Sequence, residues 1–201
     1  MRSFPLTLSA LLLSATAQLL PAQVNVVARG ELADGQATGC YYCPGYQYVI
    51  KFVGTQLQSS TVNLNLFINQ YVELTGTWNG TVLNVTSAQL TPETFSIGGN
   101  TSIGHTIRPT TMSTPGDLAL NIAALGTTFL VPFADIALMM NPASAVILGA
   151  GITNGNGEFK SDIDLPNDPS IVGVRVFGQG IVFTPAGAIF STNVDAKEVT
   201  P

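Results

Sequence analysis

The sequence is poor in charged residues. Of its 201 residues only 9% are Asp, Glu, Lys or Arg, whereas an average soluble domain has roughly a quarter. The 12 acidic and 7 basic residues give a net charge of −5, and the basic residues are scattered singly along the chain. Nucleic-acid binders need clustered Lys and Arg to neutralise phosphates. We therefore expect no nucleic-acid partner.

Residue types that carry catalysis or bind metals are also scarce. The chain has one histidine, His105, and two cysteines. It contains no Gly-x-Ser-x-Gly, His-Glu-x-x-His or Gly-Lys-Ser/Thr motif, the usual signatures of serine hydrolases, zinc proteases and phosphate-binding loops. We predict a protein that is not an enzyme and needs no cofactor. An extracellular hydrolase or thiol oxidoreductase, using His105 or a cysteine, is the alternative.

Long apolar runs are missing except near the N-terminus. There, Arg2 precedes an apolar stretch at residues 6–13, and small residues follow, which is the order of a secretory signal peptide. Residues 1–22 are therefore predicted to be removed, by cleavage after Ala22 or, alternatively, after Ala17. A membrane anchor is disfavoured because a spanning helix needs about 20 apolar residues. We expect a secreted protein, extracellular or at the cell surface, with no membrane insertion after cleavage.

The two cysteines, Cys40 and Cys43, are separated by Tyr41 and Tyr42. The spacing fits a local disulfide in an oxidising compartment. So small a ring removes little chain entropy, so its role would be to hold the tyrosines in place. A redox pair would need a helix N-terminus beside alternating strands and helices. A zinc site would need four ligands. The redox pair and the zinc site both remain alternatives to the disulfide.

Apolar and polar residues alternate through the first half of the chain. The stretches 24–29, 48–53 and 62–69 have a period of two, as expected for strands with one buried face. Asn79-Gly80 separates two β-rich runs and predicts a hairpin with a type I′ turn. Gly76 is expected at a bend or bulge of the first run.

A second β-rich block follows from about residue 98. Residues 117–124 alternate, while 129–140 and 146–152 are nearly continuous apolar runs, typical of strands buried between two layers. A short helix is expected near Asp168. The block is predicted to form two packed antiparallel sheets.

The first block resembles a small OB-type barrel. The resemblance covers residues 24–92 and rests on a Val-x-Leu-Thr-Gly-Thr sequence, which contains Gly76, followed by Val-Leu-Asn-Val in the predicted hairpin. OB folds bind oligonucleotides or oligosaccharides. The only basic residues of this block are Arg29 and Lys51, and acidic residues outnumber them, so we do not expect the oligonucleotide use.

The second block is similar to a C-terminal domain of uncharacterised secreted proteins from planctomycete-type bacteria. The similarity rests on residues 155–159, residues 165–173, Gln179-Gly180 and Ser191-Thr192-Asn193. It implies a β-sandwich on an extracellular protein, and it implies no chemistry.

Together these observations predict an all-β protein, an N-terminal OB-like small barrel followed by an antiparallel β-sandwich. The predicted boundaries are a signal peptide at 1–22, the barrel at 23–97, the sandwich at 98–196 and a C-terminal tail at 197–201.

Aromatic residues around the cysteines are the first candidate site. Tyr41, Tyr42 and Tyr46 form an aromatic loop that Trp78, beside the predicted hairpin turn, could join. Planar side chains offer a large contact area at low entropic cost and can stack on sugar rings. Such residues could equally cap an open end of the barrel.

Acidic residues near the second turn are the second candidate. Asp162, Asp164 and Asp168 could supply oxygen ligands to Ca²⁺, but alternating acids are more often the solvated face of a strand.

The sequence therefore predicts a non-enzymatic extracellular protein with an adhesion, assembly or structural role, and with a glycan or cell-surface component as its partner. A carbohydrate-binding module that uses the aromatic loop is the alternative. Self-association is also expected, because the low charge leaves sheet edges poorly guarded.

Overall fold

The computed structural model describes residues 23–36, 46–131 and 135–201. These residues form fifteen strands and two short 3₁₀ helices. The predicted all-β class is confirmed. Within the described ranges, no helix has the length and apolar character to cross a membrane.

Five strands close into a small barrel. They are β1 (Val24–Asp34), β2 (Tyr48–Ile50), β3 (Gln56–Gln58), β4 (Tyr71–Trp78) and β5 (Val82–Leu90). The order around the barrel is β1, β2, β3, β5, β4, and every pair is antiparallel except β3 with β5. Alternate residues of β1, such as Val26 and Ala28, are buried. The predicted OB-like barrel is therefore present.

Residues 62–69 are not the strand that their alternation predicted. They contain a 3₁₀ helix, Leu64–Phe67, whose first turn is capped by the side chain of Asn63. Leu64 is buried, but Leu66 is 74% exposed. The helix faces the barrel with one residue per turn, so a short run of alternating residues could not distinguish it from a strand.

The hairpin between β4 and β5 is confirmed, but its type I′ turn is not. Only Gly80 has a positive φ, +95°, whereas type I′ requires positive φ at both central residues. Asn79 instead accepts hydrogen bonds from the backbone N–H groups of Thr81 and Val82 through its side-chain oxygen. Gly76 lies at a register shift between the two strands.

Two sheets form the predicted sandwich. The first has the order β11 (Val146–Ile152), β8 (Leu118–Ala124), β14 (Arg175–Phe183), β15 (Ile189–Glu198). The second is built around β7 (Thr106–Met112), which pairs with β6 (Phe95–Gly99) on one edge and with β12 (Glu158–Lys160) and β13 (Ile163–Asp164) on the other. A 3₁₀ helix at Pro169–Ile171, capped by Asp168, confirms the predicted short helix.

Side chains of β15 join the two sheets along one side. The Asn193 Oδ1 atom accepts hydrogen bonds from the N–H groups of Thr94 (2.8 Å) and Phe95 (3.0 Å). The Asp195 Oδ2 atom accepts one from the N–H group of Ile97 (2.7 Å). These bonds satisfy the edge of β6 that faces away from β7. Asn193 thus has a structural role in the sandwich.

The barrel and the sandwich share one hydrophobic core. Leu74 of the barrel, Met139 and Phe177 belong to the same cluster of buried residues. Met139 lies in β10 (Leu138–Met140), which pairs with β9 (Thr127–Leu130) between the two halves. The backbone of Val27 also bonds to Asp135 and Ala137 beside β10. The junction between the halves is therefore part of the packed interior.

Other details of the second half differ from the predictions. Residues 129–140 contain parts of two paired strands, β9 and β10, not one continuous strand. Strand β11 is a largely exposed edge, not a buried strand. Residues 197–201 are not a tail, because β15 continues to Glu198 and Val199 is buried in a second, smaller cluster. Residue 98, the predicted boundary, lies inside β6.

Candidate ligand-binding cleft

A cleft of about 540 Å³ lies where the barrel meets the sandwich. Its walls come from Arg29 of β1, from the connections at residues 91–94 and 112–117, and from Thr184 and Phe190 at the β14–β15 hairpin. Three of the eleven lining residues, Arg29, Met112 and Phe190, lie in strands, and the other eight lie in the connections between strands. Ligand sites commonly lie in clefts of this size between two structural units.

One wall is an arginine stacked on an aromatic ring. The guanidinium carbon of Arg29 lies 4.1 Å from the centroid of the Phe190 ring, and its Nη2 atom lies 2.7 Å from Glu73 Oε2. Gln89 donates a further hydrogen bond to Glu73 Oε1 (2.8 Å). Burial alone would raise the pKa of Glu73, but the hydrogen bonds from Arg29 and Gln89 hold this pKa below its usual range. Glu73 therefore compensates the charge of Arg29.

Two carboxylates of the cleft, Glu93 and Asp117, form no ion pair within the described residues. Glu93 Oε1 accepts a hydrogen bond from the Tyr71 hydroxyl (3.0 Å). Burial and this carboxylate raise the pKa of Tyr71, so it remains a donor. Asp117 is only 3% exposed and accepts a hydrogen bond from the Ser113 hydroxyl. Glu93 is half-buried and keeps further acceptor capacity for a ligand, whereas Asp117 reaches the cleft with only a small part of its surface.

The cleft thus combines an aromatic ring, a guanidinium group, two carboxylates and several hydroxyl groups. This set can contact an apolar surface and accept hydrogen bonds from a ligand rich in hydroxyl groups. His105 is not in the lining. Its Nδ1 atom lies 3.1 Å from the carbonyl oxygen of Ile103 in its own loop.

The aromatic candidates do not all meet. Tyr41, Tyr42, Cys40 and Cys43 lie outside the described residues. Tyr46 is half-buried just before β2. Trp78 packs against Phe129, with 4.5 Å between ring centroids. Trp78 also pairs with Val24 at the start of β1. Tyr46 lies just before β2, and β2 pairs with the other end of β1. Trp78 and Tyr46 are therefore at opposite ends of that strand.

The three calcium candidates each have a protein partner. Asp162 accepts a hydrogen bond from Arg108 (2.6 Å), Asp164 from the Thr106 hydroxyl (2.6 Å) and Asp168 from the N–H group of Ser170 (2.8 Å). The bond from Arg108 lowers the pKa of Asp162. In the part of the chain that the structure describes, no group of three or more His, Cys, Asp or Glu residues is placed to hold a metal ion.

Sequence reasoning missed the cleft because its parts are far apart in the chain. Arg29, Glu93, Asp117 and Phe190 belong to four separate segments. No short motif joins them, and each looks like an ordinary strand or loop residue. Only the packing of the barrel on the sandwich brings them together.

Comparison with known proteins adds no relative: no protein-family model, curated protein or solved structure matches the chain.

Proposed function

We propose that this chain is a secreted, non-enzymatic adhesion protein that binds a glycan in the cleft between its barrel and its sandwich. The observation that carries the proposal is the convergence of Phe190 with two carboxylates, Glu93 and Asp117, which form no ion pair within the described part of the chain. Secretion rests on the N-terminal sequence pattern alone.

A sugar ring matches this lining in two ways. Its hydroxyl groups donate hydrogen bonds, and bonds to an ionised carboxylate are stronger than bonds between neutral groups. Its C–H faces are apolar and pack against aromatic carbon. The Tyr71 and Ser113 hydroxyl groups hold the two carboxylates in position before a ligand binds, which lowers the entropic cost of binding.

A non-enzymatic role is supported by the partner of the one serine in the cleft. Ser113 donates its hydroxyl hydrogen bond to Asp117, while the sole histidine bonds to its own loop. A serine nucleophile would need an adjacent general base such as imidazole.

The test is a glycan array followed by titration of the best glycan. Glu93→Gln and Asp117→Asn should each weaken binding by about tenfold, equivalent to roughly 1.4 kcal/mol. Asp164→Asn is the matched control, because that carboxylate also accepts one hydroxyl hydrogen bond but lies outside the cleft. Absence of wild-type binding on the array would remove the proposal. Equal binding by the cleft variants would place the glycan elsewhere.

A second candidate function, assembly with further copies of the chain, is favoured by β11. Among the strands that the structure describes, this edge strand pairs with β8 alone. Its residues Val146, Ile147 and Ile152 are 57%, 68% and 62% exposed. Unpaired backbone groups beside exposed apolar side chains favour addition of another strand. This candidate function is tested by measuring the oligomeric state of variants that carry lysine in β11.

A further inference from the structure

A second, uncharged groove lies on the barrel where β3 and β5 run parallel. It has a volume of about 360 Å³ and is lined by Gln58, the turn at residues 59–61 and residues 84–86. All seven lining residues are neutral, and six of them, all except Val85, end in an amide or hydroxyl group. The groove therefore differs in charge from the cleft at the junction.

An amide pair is part of the lining of this groove. Gln58 and Asn84 are direct partners in the parallel ladder, and the Gln58 side-chain N–H donates to Asn84 Oδ1. This bond leaves the Gln58 Oε1 atom as an acceptor and the Asn84 Nδ2 atom as a donor. If both amides are rotated by 180°, the pair still presents one acceptor and one donor. The groove thus offers a paired acceptor and donor in either assignment.

The backbone around the amide pair is fixed by local hydrogen bonds. Ser59 Oγ donates to the carbonyl oxygen of Val85 (2.7 Å) and accepts from the N–H group of Val62 (2.8 Å). These bonds tie the turn after β3 to β5. The turn therefore holds Ser60, an exposed serine, at the rim of the groove.

A β-bulge shapes the other side. The register of β4 and β5 shifts at Gly76, which leaves Thr86 without a direct partner. A Cβ atom on Gly76 would lie 2.2 Å from the carbonyl oxygen of Asn84, so this approach of the strands requires glycine. Bulges re-aim side chains and are frequent beside functional sites. Here the bulge places Thr86 in the groove lining.

We propose that this groove is a second glycan-binding site, selective for a neutral sugar residue. Two neighbouring hydroxyl groups of a sugar can donate to the free amide oxygen and accept from the free amide N–H. The lining carries no charge that could pair with an acidic or amino sugar. The charged group of such a sugar would lose its hydration on entering the groove and would find no ion-pair partner there. The inference rests on the proposed function in taking a glycan as the ligand, but it uses none of the residues of the cleft.

The test is an NMR titration of the mature chain with neutral gluco-, manno-, xylo- and N-acetylchito-oligosaccharides. Backbone amide signals of residues 58–61 and 84–86 are expected to shift and to saturate. The double variant Gln58→Ala, Asn84→Ala should weaken this binding at least tenfold. Asn65→Ala, which removes a surface amide with one hydrogen bond from Tyr48, should leave it unchanged.

A second variant tests the groove if the double variant fails to fold. Ser60→Tyr fills the groove from an exposed position and should also abolish the shifts. Shifts confined to residues 91–94 and 112–117 would overturn the groove while supporting the cleft. Shifts at the groove that persist in Glu93→Gln but vanish in Ser60→Tyr support the groove whether or not the cleft binds. Absence of shifts at residues 58–61 and 84–86 with every oligosaccharide would overturn the groove.

Discussion

Single polar side chains make several of the decisive contacts in this molecule. Asn193 is 1% exposed and bonds the edge of β6 through both ends of its amide. Its Oδ1 atom accepts from two N–H groups, and its Nδ2 atom donates to the carbonyl oxygen of Phe95 (2.8 Å). Without that amide, the backbone groups at this edge would be buried and unsatisfied.

Asn193→Ala is therefore expected to lower the free energy of unfolding by about 2 to 4 kcal/mol, measured by urea denaturation. Asn193→Asp should also be destabilising, because it places a buried carboxylate oxygen against the carbonyl oxygen of Phe95. Asn65→Ala, at an exposed site, should change the stability little. A loss below about 0.5 kcal/mol in Asn193→Ala, within the usual range for surface substitutions, would contradict this account.

The Arg29–Glu73 pair gives a pH dependence with a definite sign. The pKa of Glu73 is lowered in the folded chain, so the pair stabilises the fold above the unfolded value of about 4.3. This contribution is lost as the pH falls through the folded pKa. Glu73→Gln should cost about 1 kcal/mol at pH 7 and nearly nothing at pH 2. A difference between wild type and variant that stays constant over this range would refute the assignment.

The sequence predicted the positions of residues whose roles depend only on their neighbours in the chain. Asn79-Gly80 and Gly76 were located from sequence because turns and bulges depend on neighbouring residues. Arg29 and Phe190 could not be paired in advance, because their contact depends on how β1 lies against β15. The same reason hid the donors of Asp162 and Asp164, Arg108 and Thr106, which lie more than 50 residues earlier in the chain.

At the scale of elements, β11 shows why an apolar run need not be buried. Its continuous apolar sequence predicted a strand between two layers, yet it forms the edge of its sheet. Gly149 and Gly151 lie against the ring of Phe159 in β12. A Cβ atom on Gly151 would lie 2.5 Å from that ring, so the ring fits there because the residue is glycine. The outer residues have no covering element within the described chain and remain exposed.

If β11 mediates assembly, the wild-type chain should gain mass with concentration in size-exclusion chromatography with light scattering. The double variant Ile147→Lys, Ile152→Lys should remain monomeric, because lysine at an edge opposes strand addition. Leu66→Lys removes an equally exposed leucine from the barrel surface and should still associate. Identical behaviour of the β11 variant and the wild type would exclude this edge as the interface.

At the scale of the whole molecule, the barrel and the sandwich are expected to unfold together. Their buried residues form one cluster that includes Leu74 and Phe177. Trp78, the single tryptophan, reports on the barrel. Phe177→Ala in the sandwich should cost about 3 to 5 kcal/mol and lower the Tm seen by Trp78 fluorescence and by circular dichroism equally. Two separate transitions, with the Trp78 transition unchanged, would show independent domains.

The barrel was expected from its resemblance to OB-type barrels. Periodicity predicted the all-β class and the packed sheets of the second half, because alternation reflects which face of a strand is buried. It could not predict the shared core. Both faces of β14 are covered: Phe177 and Ile181 belong to the core shared with the barrel, and Gly178 and Gly180 lie against Phe95 and Thr111 of the second sheet. The sequence pattern does not say what covers each face. The junction cleft follows from that packing and was therefore beyond sequence reasoning.

The most direct test of the glycan-binding cleft is hydrogen exchange, read by mass spectrometry, with and without a pool of neutral, acidic and amino oligosaccharides. The account predicts slower exchange in residues 91–94, 112–117 and 184–190. Unchanged exchange in these three segments at saturating oligosaccharide would contradict it.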